Sequence, residues 1–288
     1  MDDPGGRAGM KSAICLIVRN ERRDIAEWIA FHALAGFDTQ IIFNHSSDDG
    51  TDLVIRFMAR HYDIRIHDWQ DHSAQSQLNA YNAALSAYRL EFDWLAFLDS
   101  DEFFIPAHEE PVNNFLERYQ DWSGIAIPWA VYGSNGHVGY PPKLVIESFT
   151  RRAPENFFPS HHVKSIIRPR FAAAAVNPHC FDLAGHIAGS YCDLAGATIR
   201  WWPAPERGGV LPGVLADLPD YSIARVNHYF TRSRAHWQAK IKRGYPSDMV
   251  VRKEEEFAHY DRNEILDPIA LRYVPRLREA RSRLNNGA

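Results

Sequence analysis

The sequence predicts an α/β domain whose mostly parallel sheet carries helices on both faces. Short apolar runs of strand length alternate with amphipathic stretches of helix length, the rhythm of βαβ units. Two of the runs, residues 13–18 and 94–98, are apolar throughout, as strands buried on both faces must be. The chain has 288 residues, 45% hydrophobic and 24% charged, enough to bury a sizeable core.

Taken in order, residues 1–10 are rich in Gly and Asp and are expected to be disordered. After the strand at 13–18, Asp24 is placed to cap a helix reaching about Ala35. Ile25, Trp28, Ile29 and His32 form its stripe, and Gly36 suits the left-handed residue that ends it. A strand at 40–43 leads into the polar loop 44–50. A helix over 51–61 follows, with Leu53, Val54, Phe57 and Met58 at helical spacing. Ile64-Arg65-Ile66 reads as a short strand and 75–88 as an amphipathic helix. The strand at 94–98 runs straight into Asp99-Ser100-Asp101-Glu102, and a helix at 112–119 and a strand at 124–127 continue the pattern. From about Pro128 the rhythm breaks. The remainder reads as a less regular C-terminal extension of the same domain, covering one edge of the sheet. The domain therefore spans 11–274, and residues 275–288 form a basic helical tail (Arg276, Arg278, Arg281, Arg283), read as solvated, with a binding arm as the alternative.

Composition removes several function classes. With 32 Lys+Arg against 36 Asp+Glu the net charge is −4, which argues against gripping nucleic acid or an anionic membrane. No stretch has the roughly 18 consecutive apolar residues of a membrane-spanning helix. The acidic start lacks the basic-then-apolar order of a signal peptide. Three cysteines make no disulfide framework and fit a reducing, cytoplasmic setting.

The chemistry concentrates at the end of the fourth strand. Asp99 and Asp101 are two apart, so in extended backbone both side chains point to one face. Ligands of open α/β sheets bind beyond the carboxyl ends of the strands. Adjacent carboxylates repel unless a cation lies between them, and a hard divalent ion with room for phosphate oxygens would serve. A solvated acidic turn is the alternative. A remote side chain would help complete the ion's shell. Of His161, His162, His179, His186, His228 and His236, His228 is best placed, in the strand-like segment 224–230. A hydrogen-bonded core histidine is the alternative there.

Other residues extend this pattern: Asn20-Glu21, Glu27-Trp28-Ile29, Phe31-His32, Asn44-x-Ser46-x-Asp48-x-Gly50-Thr51, Trp94 before Asp99-x-Asp101-Glu102-Phe103, and Trp129 before Tyr132-Gly133. Lys164-Ser165-Ile166-Ile167-Arg168-Pro169, His179, His228-Tyr229, Lys240 and Arg243-Gly244 follow. In order and spacing the set resembles nucleotide-sugar glycosyltransferases of the GT-A fold, in the branch of family 92 and its family 2-like relatives. The resemblance implies a GT-A-like domain and transfer of a sugar from a nucleotide diphosphate donor to a saccharide acceptor, with inversion at the anomeric carbon. It implies Mn²⁺ or Mg²⁺ held by Asp99 and Asp101, with His228 as the C-terminal ligand. It further implies a nucleoside pocket lined by Asn20, Glu21 and the 44–49 loop, including Asn44, Ser46 and Asp49.

Lys164, Lys240 and Arg243 are candidate diphosphate contacts, with plain surface charge as the alternative for each. The acceptor hydroxyl needs a general base, ordinarily a carboxylate. No unambiguous acidic motif supplies one, and Asp182 and Glu147 are the candidates. The chain departs from the family 2 pattern at Asn44-His45, where paired acidic residues are expected. Trp129 is the tryptophan placed to stack on a sugar. Two rivals remain. A nucleotidyltransferase of similar fold would need a Gly-rich basic loop after the first strand, where this chain has Arg19-Asn20-Glu21-Arg22-Arg23. A non-catalytic nucleotide-sugar binding module would need no base. Peripheral membrane contact through the basic tail stays open.

Overall fold

The computed structural model describes residues 9–244 and 253–286, so the expectation for the N-terminus lies mostly outside the described residues. The predicted alternation is present: β1 (Ser12–Val18), α1 (Ile25–Ala35), β2 (Thr39–His45), α2 (Thr51–Met58), β3 (Ile64–Trp69), α3 (Ser76–Tyr88) and β4 (Trp94–Phe97). Then come β5 (Glu102–Pro106), α4 (Val112–Glu117) and β6 (Trp122–Val131), a short helix α5 (Val145–Ser148) and the two-residue β7 (Arg151–Arg152). β8 (Val163–Ile167) precedes two small antiparallel pairs, β9 (Ala172–Asn177) with β10 (Cys180–Leu183), and β12 (Trp201–Ala204) with β13 (Gly209–Leu215); β11 (Gly189–Cys192) lies between them in sequence. The chain continues through β14 (Ala224–His228), α6 (Arg234–Arg243), α7 (Glu254–Tyr260), β15 (Ile265–Leu266) and α8 (Val274–Asn286).

Among the described residues the main sheet has nine strands in the order β3-β2-β1-β4-β8-β6-β14-β5, with β11 beside β6. The pairs β3–β2, β2–β1, β1–β4, β6–β14 and β6–β11 are parallel, whereas β8 runs antiparallel to both β4 and β6, and β5 antiparallel to β14. The mostly parallel α/β class therefore stands, with one correction. The second half does not cover an edge. It threads β8 into the middle of the sheet and β14 between β6 and β5. The reason lies in two polar residues that β8 buries: Lys164 and Ser165 are 0% and 1% exposed. Ser165 Oγ donates to the His179 carbonyl at 2.6 Å and shares a hydrogen bond with the Tyr191 hydroxyl. A sequence reading takes both residues for an interruption.

α1 fixes the loop after β4. Its Trp28 lies in the core, and the indole Nε1–H donates to the carbonyls of Asp99 and Glu102 at 3.0 and 2.9 Å. Gly36 ends α1 at φ +99°, as expected, and an added Cβ would lie 3.2 Å from the Val112 nitrogen. Asp24 does not cap the helix. It makes no side-chain cap bond, because its carboxylate is taken by Arg232 at 2.5 Å. The expected basic tail is a packed helix: Val274, Leu277 and Leu284 of α8 are buried, while Arg276, Arg278 and Arg283 pair with Glu109, Glu147 and Glu279. Among the described residues no helix is long and apolar enough to cross a membrane.

Candidate active site

The turn between β4 and β5 carries both aspartates to the rim of the sheet. Asp99 and Asp101 line a cavity of about 580 Å³ together with Trp129, His179, His228 and Lys240. Neither carboxylate is bare. Asp99 Oδ2 accepts from Lys164 Nζ at 2.7 Å, and Oδ1 accepts from Gln77 Nε2 at 2.8 Å. Asp101 Oδ2 accepts from Lys240 Nζ at 2.5 Å, and its Oδ1 lies 3.6 Å from His228 Nε2. Lys240 is held in turn by the Phe230 carbonyl. The partners are lysines rather than arginines, and both carboxylates open onto the cavity.

The electrostatics follow from burial and these pairs. Burial alone would raise the Asp101 carboxyl, but Lys240, then His228 and Arg232, outweigh it and hold it well below the usual carboxylate range. Glu102, 0% exposed, goes the other way: burial drives it well above its ordinary value, although Lys164 stands 3.3 Å away. Lys164 itself is raised, because Asp99 and Glu102 outweigh its own burial. His228 is lowered, chiefly by burial, so its imidazole is neutral at neutral pH.

A neutral imidazole beside an ionised carboxylate suits a divalent cation. Asp101 Oδ1 and His228 Nε2 lie 3.6 Å apart, so both donors would be offered to an ion bound between them. Behind the ring, His228 Nδ1 and Glu102 Oε1 face each other at 3.9 Å, both buried and both without a hydrogen-bond partner. A carboxylate set behind the far nitrogen of an imidazole is the usual support of a metal-ligating histidine. Among the described residues no group of three His, Cys, Asp or Glu forms a ready-made metal cage. An ion held by these donors would have to complete its shell with water and phosphate oxygens.

The remaining sequence candidates divide. Arg243 lines the cavity, but its guanidinium is anchored to the carbonyls of Arg19 and Asn20 and to Glu21 Oε1. Lys164 does not reach the cavity; it lies beneath Asp99 as a buried counter-ion, which corrects its reading as a diphosphate contact. Asn20, Glu21 and Asp49 line a neighbouring cavity of about 480 Å³ that shares Arg19, Lys240 and Arg243 with the first. Asn20 bonds Asp48, and Asp49 accepts from the Thr51 amide at the start of α2, so both are engaged in holding the loop. Asn44 is buried at the end of β2, and Ser46 Oγ donates to the Trp69 carbonyl. From that loop it is His45, stacked on His72, that faces the larger cavity. Neither candidate base lines it: Asp182 is exposed on β10, and Glu147 on α5 pairs with Arg278.

Three contributors stand outside the set of candidate site residues. Gln77 and Tyr81 on α3 reach the Asp99 carboxylate. Arg232, 2% exposed and at φ +48°, binds Glu21 and Asp24 and donates to the Ser100 carbonyl at 2.9 Å. It ties the loop after β1 to the loop after β4. No sequence signal marks Arg232, whereas Gln77 and Tyr81 are four apart on the helix expected over 75–88, a spacing that puts both on one face.

Comparison with known proteins identifies a family. The family model described as "Glycosyltransferase family 92" matches residues 13–184. A glycosyltransferase family 92 protein of Oryza sativa subsp. japonica is 28% identical over 184 residues, covering 62% of this chain and 30% of that protein. One of Ricinus communis is 31% identical over 167 residues, covering 54% of this chain and 28% of its own length. The chain thus spans about a third or less of these relatives. Among solved structures, mannosyl-3-phosphoglycerate synthase from Rubrobacter xylanophilus aligns at TM-score 0.31 and 13% identity, covering 56% of this chain and 54% of that one. HddC from Yersinia pseudotuberculosis aligns at 0.29 and 10%, covering 55% and 73%. Likenesses that distant carry no argument about activity. The family match covers more than half of the chain and includes both aspartates, and the chain belongs to glycosyltransferase family 92.

Proposed function

We propose that the chain is a metal-dependent, inverting glycosyltransferase that moves a sugar from a nucleotide diphosphate donor to a hydroxyl of a saccharide acceptor. The observation that carries this reading is the convergence of Asp99, Asp101, His228, Lys240 and Arg243 on one cavity beyond the carboxyl ends of β1 and β4. Asp99, Asp101 and His228 would hold Mn²⁺ or Mg²⁺, which supplies neutralisation of the negative charge that gathers on the departing diphosphate. Lys240 and Arg243 add fixed positive charge on the same wall. Trp129 offers an apolar face for the sugar ring. Inversion by a single displacement needs no protein nucleophile, and the buried, high-pKa thiols of Cys15, Cys180 and Cys192 offer none. Those unpaired thiols also support a reducing, cytoplasmic setting.

The test is a panel of nucleotide sugars with simple saccharide acceptors, assayed with Mn²⁺ and with chelator. One donor is expected to be turned over, with release of nucleoside diphosphate abolished by chelator and by Asp101→Asn. Binding of a donor without any turnover would favour the non-catalytic module instead, and an undiminished rate in chelator would remove the metal.

A further inference from the structure

We propose that His179 is the general base that takes the proton from the attacking acceptor hydroxyl. The inference rests on the transfer reading above and goes beyond it by assigning the proton acceptor that the sequence failed to provide. His179 lines the cavity with both aspartates. Its Nδ1 lies 2.9 Å from the Val163 carbonyl, and a carbonyl only accepts, so Nδ1 carries the hydrogen and Nε2 carries the lone pair. Among the described residues Nε2 has no hydrogen-bond partner, and it is not among the polar atoms sealed from solvent, so it is accessible from the cavity that the ring lines.

The ring is also held rigidly. The His179 amide donates to Asn177 Oδ1 at 2.8 Å, its carbonyl accepts from Ser165, and the Lys164 ammonium donates to the preceding Pro178 carbonyl at 3.3 Å. Trp129 packs edge-on against His179 and also touches the His228 ring, so one side chain separates the proton acceptor from the proposed metal ligand. Gly213 completes the support: a Cβ there would come within 2.6 Å of the His179 Cβ. The other carboxylate and imidazole side chains on the cavity wall are engaged, His228 as the proposed metal ligand. Asp99 is bonded to Lys164 and Gln77, Asp101 to Lys240, and His45 Nε2 lies near Ser76 Oγ.

The charged or titratable groups that face His179 are Lys164, His162 and His228. Burial first, then the Lys164 cation, holds the imidazole well below its ordinary value, so the resting ring is uncharged. In the step itself the acceptor proton passes to Nε2 while the acceptor oxygen bonds the anomeric carbon. The bond from that carbon to the diphosphate oxygen breaks, and its electron pair leaves with the nucleoside diphosphate. The imidazolium returns its proton to water after the products depart.

The experiment compares wild type with His179→Asn, whose amide can still donate to the Val163 carbonyl. Transfer is expected to fall about 10²- to 10⁴-fold in kcat. Binding of nucleoside diphosphates, read by calorimetry, should stay unchanged, and the acidic limb of the pH–rate profile should disappear. In His179→Ala, added imidazole should restore part of the rate. Wild-type transfer retained in His179→Asn within a factor of about three would overturn the assignment while leaving the transferase reading intact. So would a folded His179→Ala that imidazole does not rescue. Absence of transfer by wild type with every donor would instead sink the transferase reading.

Discussion

At the scale of single residues, Lys164 and Lys240 each set a buried ammonium against one aspartate of the site. Lys164 is fully buried between Asp99 and Glu102. Lys164→Met is therefore expected to destabilise the fold by about 3–5 kcal/mol, the usual cost of stranding one side of a buried ion pair. A diphosphate contact would instead raise the donor KM and leave the melting temperature alone. Without the lysine, Glu102, whose pKa is already raised, gains further reason to stay protonated. A carboxyl with a raised folded pKa contributes stability that is lost as pH rises. The deficit of Lys164→Met should therefore widen from pH 5 to pH 8 in urea titrations, and a flat difference would contradict this account. Both aspartates, His228 and Lys240 stand among the sequence candidates, and the fold brings all four to one cavity wall. Which cation serves which carboxylate was not legible in the sequence, because that depends on β8 entering the sheet beside β4.

At the scale of elements, three loops are clamped by one arginine. Arg232 joins Glu21 and Asp24 after β1 to Ser100 after β4, from the segment between β14 and α6. Burial would raise Glu21, but Arg232, Arg243 and Lys240 lower it to about 2. The folded value lies below the ordinary one, so this contribution is complete above about pH 4.5 and is lost as pH falls from there through about 2. Glu21→Gln should flatten that part of the stability–pH curve, measured by chemical denaturation between pH 3 and pH 6. An unchanged slope would place the acid sensitivity elsewhere. The first six strands and helices were readable because each is continuous in its period. β5 and β8 were not, since each contains a buried charge, Glu102 and Lys164, that reads as solvent-exposed until its partner is known. The Asp24 cap was misread for a similar reason: its carboxylate answers a residue more than two hundred positions away.

At the scale of the whole molecule, the C-terminal helix belongs to the core. α8 buries Leu277 and Leu284 in the same cluster as Phe31 and Ile29 of α1. Removing residues 274–288 should expose that face, lower the melting temperature by several degrees and raise dye binding to apolar surface. A truncated chain as stable as the full one would show the helix to be an ornament. The family match ends at residue 184, yet β14, which pairs with both β5 and β6, begins at Ala224. A fragment covering the matched segment alone thus leaves β5 without a neighbour. The insertion of β8 also orders events during synthesis. A nascent chain emerging from the ribosome can assemble β3-β2-β1-β4 early, but the far flank of β4 stays an unpaired edge until Val163–Ile167 arrives, a delay in which a second nascent chain can dock there instead.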